Sequence, residues 1–265
     1  MRPAPAQAGH VTGAVPGAAP VPPHGSQARA SPTRRILRLL SAAACLCSAA
    51  PAAAEVGASA SLFTDARFRG YSLSSGHPVA SFDLAYDDPG GLYGALSATA
   101  VLGSDEAIKP MGLQLNGGYA KRLSSGVVFD FGVTHSNYSR YSSRASASYT
   151  EIYAGVSRKA LSTRISYAPH YFASGYSTLY GEVNANVSPM PKLSLYAHVG
   201  LLLPVDYPEA VRKPRAQHDW SLGASRQAGP VSLHAILTGG GPDADYYDDR
   251  AHSRTKLVFG VSYPL

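Results

Sequence analysis

Cysteine is missing from most of this sequence: the chain has two, Cys45 and Cys47, and both precede residue 55. Without thiols after that point, the chain can form neither disulfides nor Cys-ligated zinc sites there. Charge is also sparse, since Asp, Glu, Lys and Arg make up 15% of the residues. No apolar run reaches the roughly 18 residues that a spanning helix needs, which excludes a helical membrane protein.

The excess of positive charge is confined to residues 1–54, which hold five arginines and no acidic residue. The whole chain has 23 basic and 17 acidic residues, so residues 55–265 have 18 basic and 17 acidic ones. A net charge of about +1 gives no electrostatic support for nucleic-acid binding, and no nucleic-acid partner is expected.

Residues 1–54 have the pattern of a leader with a secretory signal peptide. Residues 34–38 form a positive segment, residues 36–50 an apolar segment, and residues 52–54 a small-residue cleavage site. Residues 1–33 are rich in Pro, Ala and Gly and have no helical or strand periodicity. One hypothesis is that translation starts downstream of Met1, which N-terminal sequencing of the precursor would test.

From residue 56 onwards, apolar and polar residues alternate with a period of two. Phe129, Phe131 and Val133, for example, alternate with Asp130 and Thr134. Successive side chains of a strand point to opposite faces, so the pattern predicts strands with one apolar and one polar face. Twelve strands are predicted, at 56–68, 79–87, 92–102, 111–122, 127–137, 147–157, 161–172, 178–187, 193–203, 218–226, 231–238 and 255–265.

The connections between these strands alternate in length. Short turns follow the even-numbered strands, at 88–91, 124–126, 158–160, 188–192 and 227–230. Longer connections follow most odd-numbered strands, at 69–78, 103–110, 138–146, 204–217 and 239–254; the link near 174–175 is a short exception. Short periplasmic turns and long outer loops are typical of bacterial outer-membrane barrels.

Charge falls on one face of the predicted strands. In eleven of them, leaving out the ambiguous 92–102, the central outward positions contain no Asp, Glu, Lys or Arg. A lipid-facing Arg or Lys at mid-bilayer costs about 2–4 kcal/mol, whereas a soluble sandwich would have a far more charged outer surface. The sequence therefore predicts an all-β fold at 55–265, a transmembrane antiparallel up-and-down barrel of about 12 strands. Its expected location is the bacterial outer membrane, with lipid as a partner.

The charged residues of the other face are the candidates for lining the lumen: Asp65, Arg67, Arg69, Asp83, Asp130, Glu151, Arg164, Glu182 and Asp219. Inward charges can tune the selectivity of a pore. The alternative is a salt-bridged network that fills a narrow barrel, since unpaired buried charges are costly. Open aqueous channels are characteristic of barrels with about 16–18 strands, so a twelve-stranded barrel allows both interpretations.

The last long connection, 239–254, carries a cluster of carboxylates at Asp243, Asp245, Asp248 and Asp249. Hard cations such as Ca²⁺ bind clustered carboxylate oxygens. The spacing matches no EF-hand loop, so no metal site is assigned. The alternatives are pairing with the basic connection 204–217, which carries Arg212, Lys213 and Arg215, or two solvated loops. No cofactor is expected.

His135, Ser136 and Asn137 would suit a hydrolase if their side chains met. Adjacent strand residues point to opposite faces, so the Ser136 hydroxyl cannot reach the His135 ring. The sequence predicts no enzyme activity. Tyrosines near predicted strand ends, such as Tyr138 and Tyr171, are expected at the membrane interface.

Several segments resemble the TorF-type porin family, a conserved hypothetical outer-membrane group. They are Ser-Leu-Phe-Thr-Asp-Ala-Arg-Phe-Arg-Gly-Tyr-Ser at 61–72, His-Pro-Val at 77–79, Gly-Leu-Tyr-Gly at 91–94, Tyr-Thr-Glu-Ile-Tyr-Ala-Gly-Val at 149–156 and Asp-Trp-Ser-Leu-Gly at 219–223. The Tyr-Pro-Gly turn common in that family is absent from 135–141. The resemblance implies an outer-membrane barrel that can act as a pore, and it brings no substrate and no catalytic residues.

The function that these observations favour is passive diffusion of small hydrophilic solutes through a polar lumen. The alternative is a non-conducting structural or surface-interaction barrel. The sequence indicates neither the solute nor the oligomeric state.

Overall fold

The computed structural model describes residues 54–102, 108–139, 146–172, 176–206, 215–241 and 255–265. In this part of the chain, no helix is long and apolar enough to cross a membrane. The strands are β1 (Glu55–Phe63), β2 (Arg67–Phe68), β3 (Tyr71–Ser72), β4 (Val79–Asp87), β5 (Leu92–Leu102), β6 (Ile108–Arg122), β7 (Val128–Ser139), β8 (Ser146–Arg158), β9 (Leu161–Ala168), β10 (Ser177–Met190), β11 (Leu193–Asp206), β12 (Gln217–Ala228), β13 (Val231–Gly240) and β14 (Thr255–Pro264).

Twelve of these strands form a closed antiparallel barrel, as predicted. Strands β4 to β14 follow one another around the wall in chain order. Strand β1 closes the barrel by pairing with β14 on one side and β4 on the other, so that Ser61 lies opposite both Ser262 and Ser81. Closure leaves no unpaired sheet edge in this wall, which is the condition for placing strands in lipid.

The predicted leader lies outside the described residues, apart from Ala54. Two predicted strands, 56–68 and 161–172, are wrong at their ends. The wall strand of the first ends at Phe63, and the chain then turns into the barrel. Strand β9 ends at Ala168, because Tyr171 and Phe172 pack inward instead of continuing the wall.

The exterior of the barrel is apolar along the middle of its strands. Leu222 and Phe259 are more than half exposed, at 55% and 52%, as are many other outward aliphatic and aromatic side chains. Charged residues in this outward phase, such as Arg158 and Arg226, lie near the strand ends next to the short turns. An exposed apolar band of this extent is a lipid-facing surface.

The interior is polar and closely filled. Inward side chains with less than a tenth of their surface exposed include Gln114, Glu151, Glu182 and Asp219. The two ends of the barrel differ: the turn end carries the short turns such as 88–91 and 123–127, and the loop end carries the longer connections.

Candidate functional site in the barrel lumen

The connection between β1 and β4, residues 64–78, folds into the lumen from the loop end, and we refer to it as the inner hairpin. Strands β2 and β3 pair within it through Arg67 with Ser72 and Phe68 with Tyr71. Asp65, which is fully buried, organises its base. The carboxylate accepts hydrogen bonds from Ser72 Oγ at 2.6 Å, Ser74 Oγ at 2.8 Å and Arg67 Nε at 2.8 Å.

The inner hairpin reaches across the lumen to the far wall through Arg69. Both oxygens of the Glu151 carboxylate on β8 accept hydrogen bonds from Arg69 Nη2, at 2.6 and 2.8 Å. The guanidinium carbon lies 3.9 Å from the centre of the Tyr180 ring on β10. Burial opposes the charge of Arg69, whereas the Glu151 carboxylate and the neighbouring tyrosine rings favour it. This ion pair ties the hairpin to the wall opposite its origin.

Gly70 forms the tip of the inner hairpin and contacts the backbone of Gly240 and Gly241 at the end of β13. Its φ of +80° lies in the left-handed region that favours glycine. A Cβ at this position would overlap the Gly241 backbone, so residue 70 needs glycine for space as well as for conformation.

Replacing Gly70 with alanine is therefore expected to loosen the hairpin tip. Gly126 is a matched control, because its φ is also +80° but a Cβ there would meet nothing within 4 Å. We expect Gly126→Ala to cost about 1–2 kcal/mol of backbone strain, and Gly70→Ala to cost about 1–3 kcal/mol more through overlap. Amide hydrogen exchange of peptides covering 64–78 measures the difference. Equal protection of the hairpin in both variants would contradict the tip contact.

An aromatic cluster packs against the inner hairpin on one side. Phe68 lies 6.3 Å from Tyr149 and 6.1 Å from Phe172, measured between ring centres. Tyr138 stacks on Phe172 at 5.7 Å, and Tyr171 packs edge-on against Tyr149 at 5.1 Å. The prediction that Tyr138 and Tyr171 lie at the membrane interface is wrong, because both are buried inside the barrel against the hairpin.

A row of charged residues follows the wall from one end of the lumen to the other. In the backbone register, Asp130 pairs with Gly155, Gly155 with Arg164 and Arg164 with Glu182. The row continues from Glu182 through Gly200 to Asp219. We call Asp130, Arg164, Glu182 and Asp219 the charge row. Asp130 is near the turn end and Asp219 near the loop end, so the row spans the described lumen.

The part of the charge row near the turn end is an ion pair surrounded by tyrosines. Arg164 Nη2 donates to Asp130 Oδ2 at 2.7 Å, and the guanidinium carbon lies 4.0 Å from the centre of the Tyr153 ring. Tyr93 hydrogen-bonds to Asp130 and to Tyr153. Asn116 Nδ2 donates to the Tyr153 hydroxyl at 3.1 Å.

The part of the charge row near the loop end centres on Asp219. Its carboxylate accepts hydrogen bonds from the Tyr180 hydroxyl at 3.1 and 3.2 Å, and His198 Nε2 lies 2.8 Å from Oδ1. His198 Nδ1 lies 2.7 Å from Asn184 Oδ1. Gly200 is the residue that leaves room for the Tyr180 ring, because a Cβ there would overlap it.

A cavity of about 10 Å³ lies between the inner hairpin and the charge row, with room for about one water molecule. Its charged lining consists of Arg69, Glu151, Arg164 and Glu182. Glu182 Oε1 is buried and has no hydrogen-bond partner among the described residues.

The structure brings together most of the nine residues predicted to line the lumen. Asp130, Glu151, Arg164, Glu182 and Asp219 lie on the wall from β7 to β12. Asp65, Arg67 and Arg69 belong to the inner hairpin and not to a wall strand, because β1 ends before them. Asp83 lies apart on β4, where it accepts a hydrogen bond from Ser81 at 3.3 Å.

Two residues of the site, Tyr93 and Phe68, were not predicted. The alternation of strand 92–102 is ambiguous because small residues occupy both faces, which hid the inward direction of Tyr93. A signal was nevertheless present, since inward tyrosines pair across strands with glycines, as Tyr93 does with Gly118 and Tyr153 with Gly132. The alternation of 56–68 places Phe68 in a wall strand.

The acidic cluster at Asp243–Asp249 and the basic residues Arg212 and Lys213 lie outside the described residues. Within the described ranges, no group of three or more His, Cys, Asp or Glu could hold a metal ion.

Ser136 is buried and accepts a hydrogen bond from Gln114 Nε2 at 3.0 Å, whereas His135 is exposed on the other face and contacts Thr150. The geometry therefore separates the two side chains of that candidate hydrolase motif.

A closed twelve-stranded barrel with an apolar exterior and a polar, charged interior defines a transmembrane β-barrel of the bacterial outer-membrane class. The chain belongs to a family described as "Bacterial protein of unknown function (Gcw_chp)", whose family model matches residues 48–259. That description does not carry the TorF-type name, which stays a prediction. No curated protein sequence matches the chain significantly.

Solved structures with a similar fold include the NanC porin, with a TM-score of 0.53 and 11% sequence identity over 80% of this chain and 100% of that chain. The KdgM porin aligns with a TM-score of 0.49 and 9% identity over 78% of this chain and 98% of that chain. The outer membrane phospholipase of Salmonella typhi aligns with a TM-score of 0.41 and 14% identity, over 79% of this chain and 90% of that chain. At these identities the likeness is one of fold.

Proposed function

We propose that this protein is a porin-like outer-membrane barrel that lets small hydrophilic solutes diffuse passively through its polar lumen. The observation that carries the proposal is the charge row, which runs along the lumen from the turn end to the loop end. In our proposal, solutes follow this row and pass the inner hairpin at the narrowest level, beside Arg69 and Glu151. The lumen-lining residues select solutes by charge.

Two features of the charge row suit transport better than a purely structural role. A salt-bridged filling would stabilise the barrel less than apolar packing of similar volume, because buried charges lose their hydration. Glu182 Oε1 lacks a hydrogen-bond partner in the described lumen, which a filling optimised for stability would avoid.

The proposal extends to the leader and to the orientation of the barrel. Residues 1–54 would act as the secretory leader, and the turn end would face the periplasm. The inner hairpin would then narrow the lumen from the cell-surface side. The TorF-type resemblance, which is strongest in the Arg67–Ser72 segment, fits a porin with this element.

Conductance measurements on the protein purified from outer membranes test this function. In planar lipid bilayers we expect small, discrete and voltage-stable current steps, because the inner hairpin narrows the lumen. Folding must be verified on the same sample by the shift of the unheated band in gel electrophoresis. Correctly folded protein that gives no steps would contradict the proposed function.

The second candidate function is a non-conducting structural or surface-interaction barrel. It is favoured by one observation: the inner hairpin and its Arg69–Glu151 ion pair leave a cavity of only about 10 Å³ at their level. The absence of current steps in folded protein would support this candidate.

A further inference from the structure

We infer that the lumen prefers cations over anions. In this inference, the Glu182 carboxylate binds the ammonium group of a permeating solute, or a cation of similar size. This inference rests on the proposed function and names the class of solute that would pass the charge row.

The balance of charge along the wall that bears the charge row is negative, although the charged lining of the cavity itself is balanced. Four carboxylates lie on this wall, at Asp130, Glu151, Glu182 and Asp219, and two guanidinium groups face them, at Arg69 and Arg164. With a neutral His198 the excess is two negative charges, and with a protonated His198 it is one. A cation therefore gains Coulomb energy along this wall in either state of His198.

Each guanidinium group is already paired with a carboxylate. Arg69 binds Glu151 at 2.6 Å, and Arg164 binds Asp130 at 2.7 Å. Asp219 also has partners, since it accepts from Tyr180 and contacts His198. An entering anion could reach only Nε and Nη1 of Arg69, which have no hydrogen-bond partner among the described residues, and it would then lie beside the Glu151 carboxylate that Arg69 already binds. A cation meets no such repulsion at Glu182.

Glu182 differs from these three carboxylates in its hydrogen bonding. Only 3% of its surface is exposed, yet Oε1 has no hydrogen-bond partner in the described part of the chain. A buried carboxylate oxygen without a donor is costly. A permeating group that donates hydrogen bonds and carries positive charge would satisfy it.

The size and lining of the cavity fit an ammonium group. Its volume of about 10 Å³ is close to that needed by one water-sized group. Besides Glu182, Gln114, Thr134 and Ser166 line it and provide amide or hydroxyl oxygens. An ammonium group has three or four donors and no acceptor, which matches a carboxylate with neighbouring neutral oxygens.

Reversal potentials across a KCl gradient in planar bilayers test the preference. We expect the unmodified protein to favour K⁺ over Cl⁻, and Glu182→Gln to lower that permeability ratio by about twofold or more. Asp206→Asn is the matched control, since it also removes one carboxylate but at an exposed strand end outside the lumen network. The K⁺/Cl⁻ permeability ratio of Asp206→Asn should equal that of the unmodified protein.

Calorimetric titration of the folded barrel in detergent provides a test that does not depend on conduction. Three probes of similar size are used: ethylammonium, its neutral isostere ethanol, and acetate. We expect binding of ethylammonium alone, with loss of that binding in Glu182→Gln and retention in Asp206→Asn.

The outcomes separate the two proposals. Current steps with an anion preference, or with a ratio unchanged in Glu182→Gln, would overturn the inference and leave the porin function in place. Folded protein that binds ethylammonium through Glu182 but conducts no current would keep the cation site and overturn the porin function. Absence of both ethylammonium binding and a cation preference overturns the inference.

Discussion

Replacing Glu151 with glutamine is expected to release the inner hairpin and to raise the single-channel conductance severalfold. The substitution leaves the Arg69 guanidinium buried without its ionic partner. Removing one member of a buried ion pair costs about 3–5 kcal/mol, which exceeds the contribution of an ordinary neutral hydrogen bond, about 0.5–1.5 kcal/mol. The hairpin then leaves the far wall, and the lumen widens beside β8.

The reversed pair provides the control for this prediction. Arg69→Glu combined with Glu151→Arg exchanges the two charges and so restores the attraction between hairpin and wall. The double variant should therefore return towards the small conductance of the unmodified protein. The interaction energy from the single and double variants isolates the pair from other effects of each substitution. A conductance that is unaffected by Glu151→Gln in folded protein would show that the ion pair does not hold the hairpin.

Replacing Leu222 with arginine is expected to give the largest loss of stability on the outer surface. Leu222 lies in the middle of β12, is 55% exposed, and has Ala197 and Leu237 as its partners on the neighbouring strands. An arginine at the bilayer midplane costs about 2–4 kcal/mol in a transmembrane barrel. In water the same substitution on an exposed surface would cost within about 0.5 kcal/mol.

Leu233 offers a matched control for this substitution. It is also outward-facing, with 50% exposure, but it pairs with Arg226 near the turn end, where the chain already places a charge. Leu233→Arg should cost about 0–1 kcal/mol, as expected near the membrane interface. Urea titration of folding into lipid vesicles measures both variants. Equal losses at the two positions would contradict a lipid-facing band centred on Leu222.

The inner hairpin shows where prediction from the sequence stops. The residues before and after Phe63 have the same alternation of apolar and polar side chains, so the pattern extends the strand to Phe68. The turn into the lumen depends on Asp65, which collects Ser72, Ser74 and Arg67 around one carboxylate. These contacts form only after the segment has folded back on itself, and a local pattern cannot distinguish them from a polar strand face.

The charge row was only partly visible in the sequence for a related reason. The inward direction of Asp130, Arg164, Glu182 and Asp219 follows from the period of two. Their alignment into one continuous row depends on the register between strands, which the closed barrel and its turns set together. Residues far apart in the chain, such as Arg69 and Glu151, are then brought into contact across the lumen.

The sequence by itself determined the class of this protein. Lipid excludes charge from the middle of one face of the strands, and the lumen admits charge on the other face. The alternation of residues therefore shows which face meets lipid and which meets the lumen. Strand number and most strand limits follow from the same pattern. Only the tertiary structure decided that residues 64–78 enter the lumen, which ion pair holds them there and which carboxylate oxygen is left without a partner. Those features depend on contacts between distant strands, and the physical interactions that select them exist only once the barrel has closed.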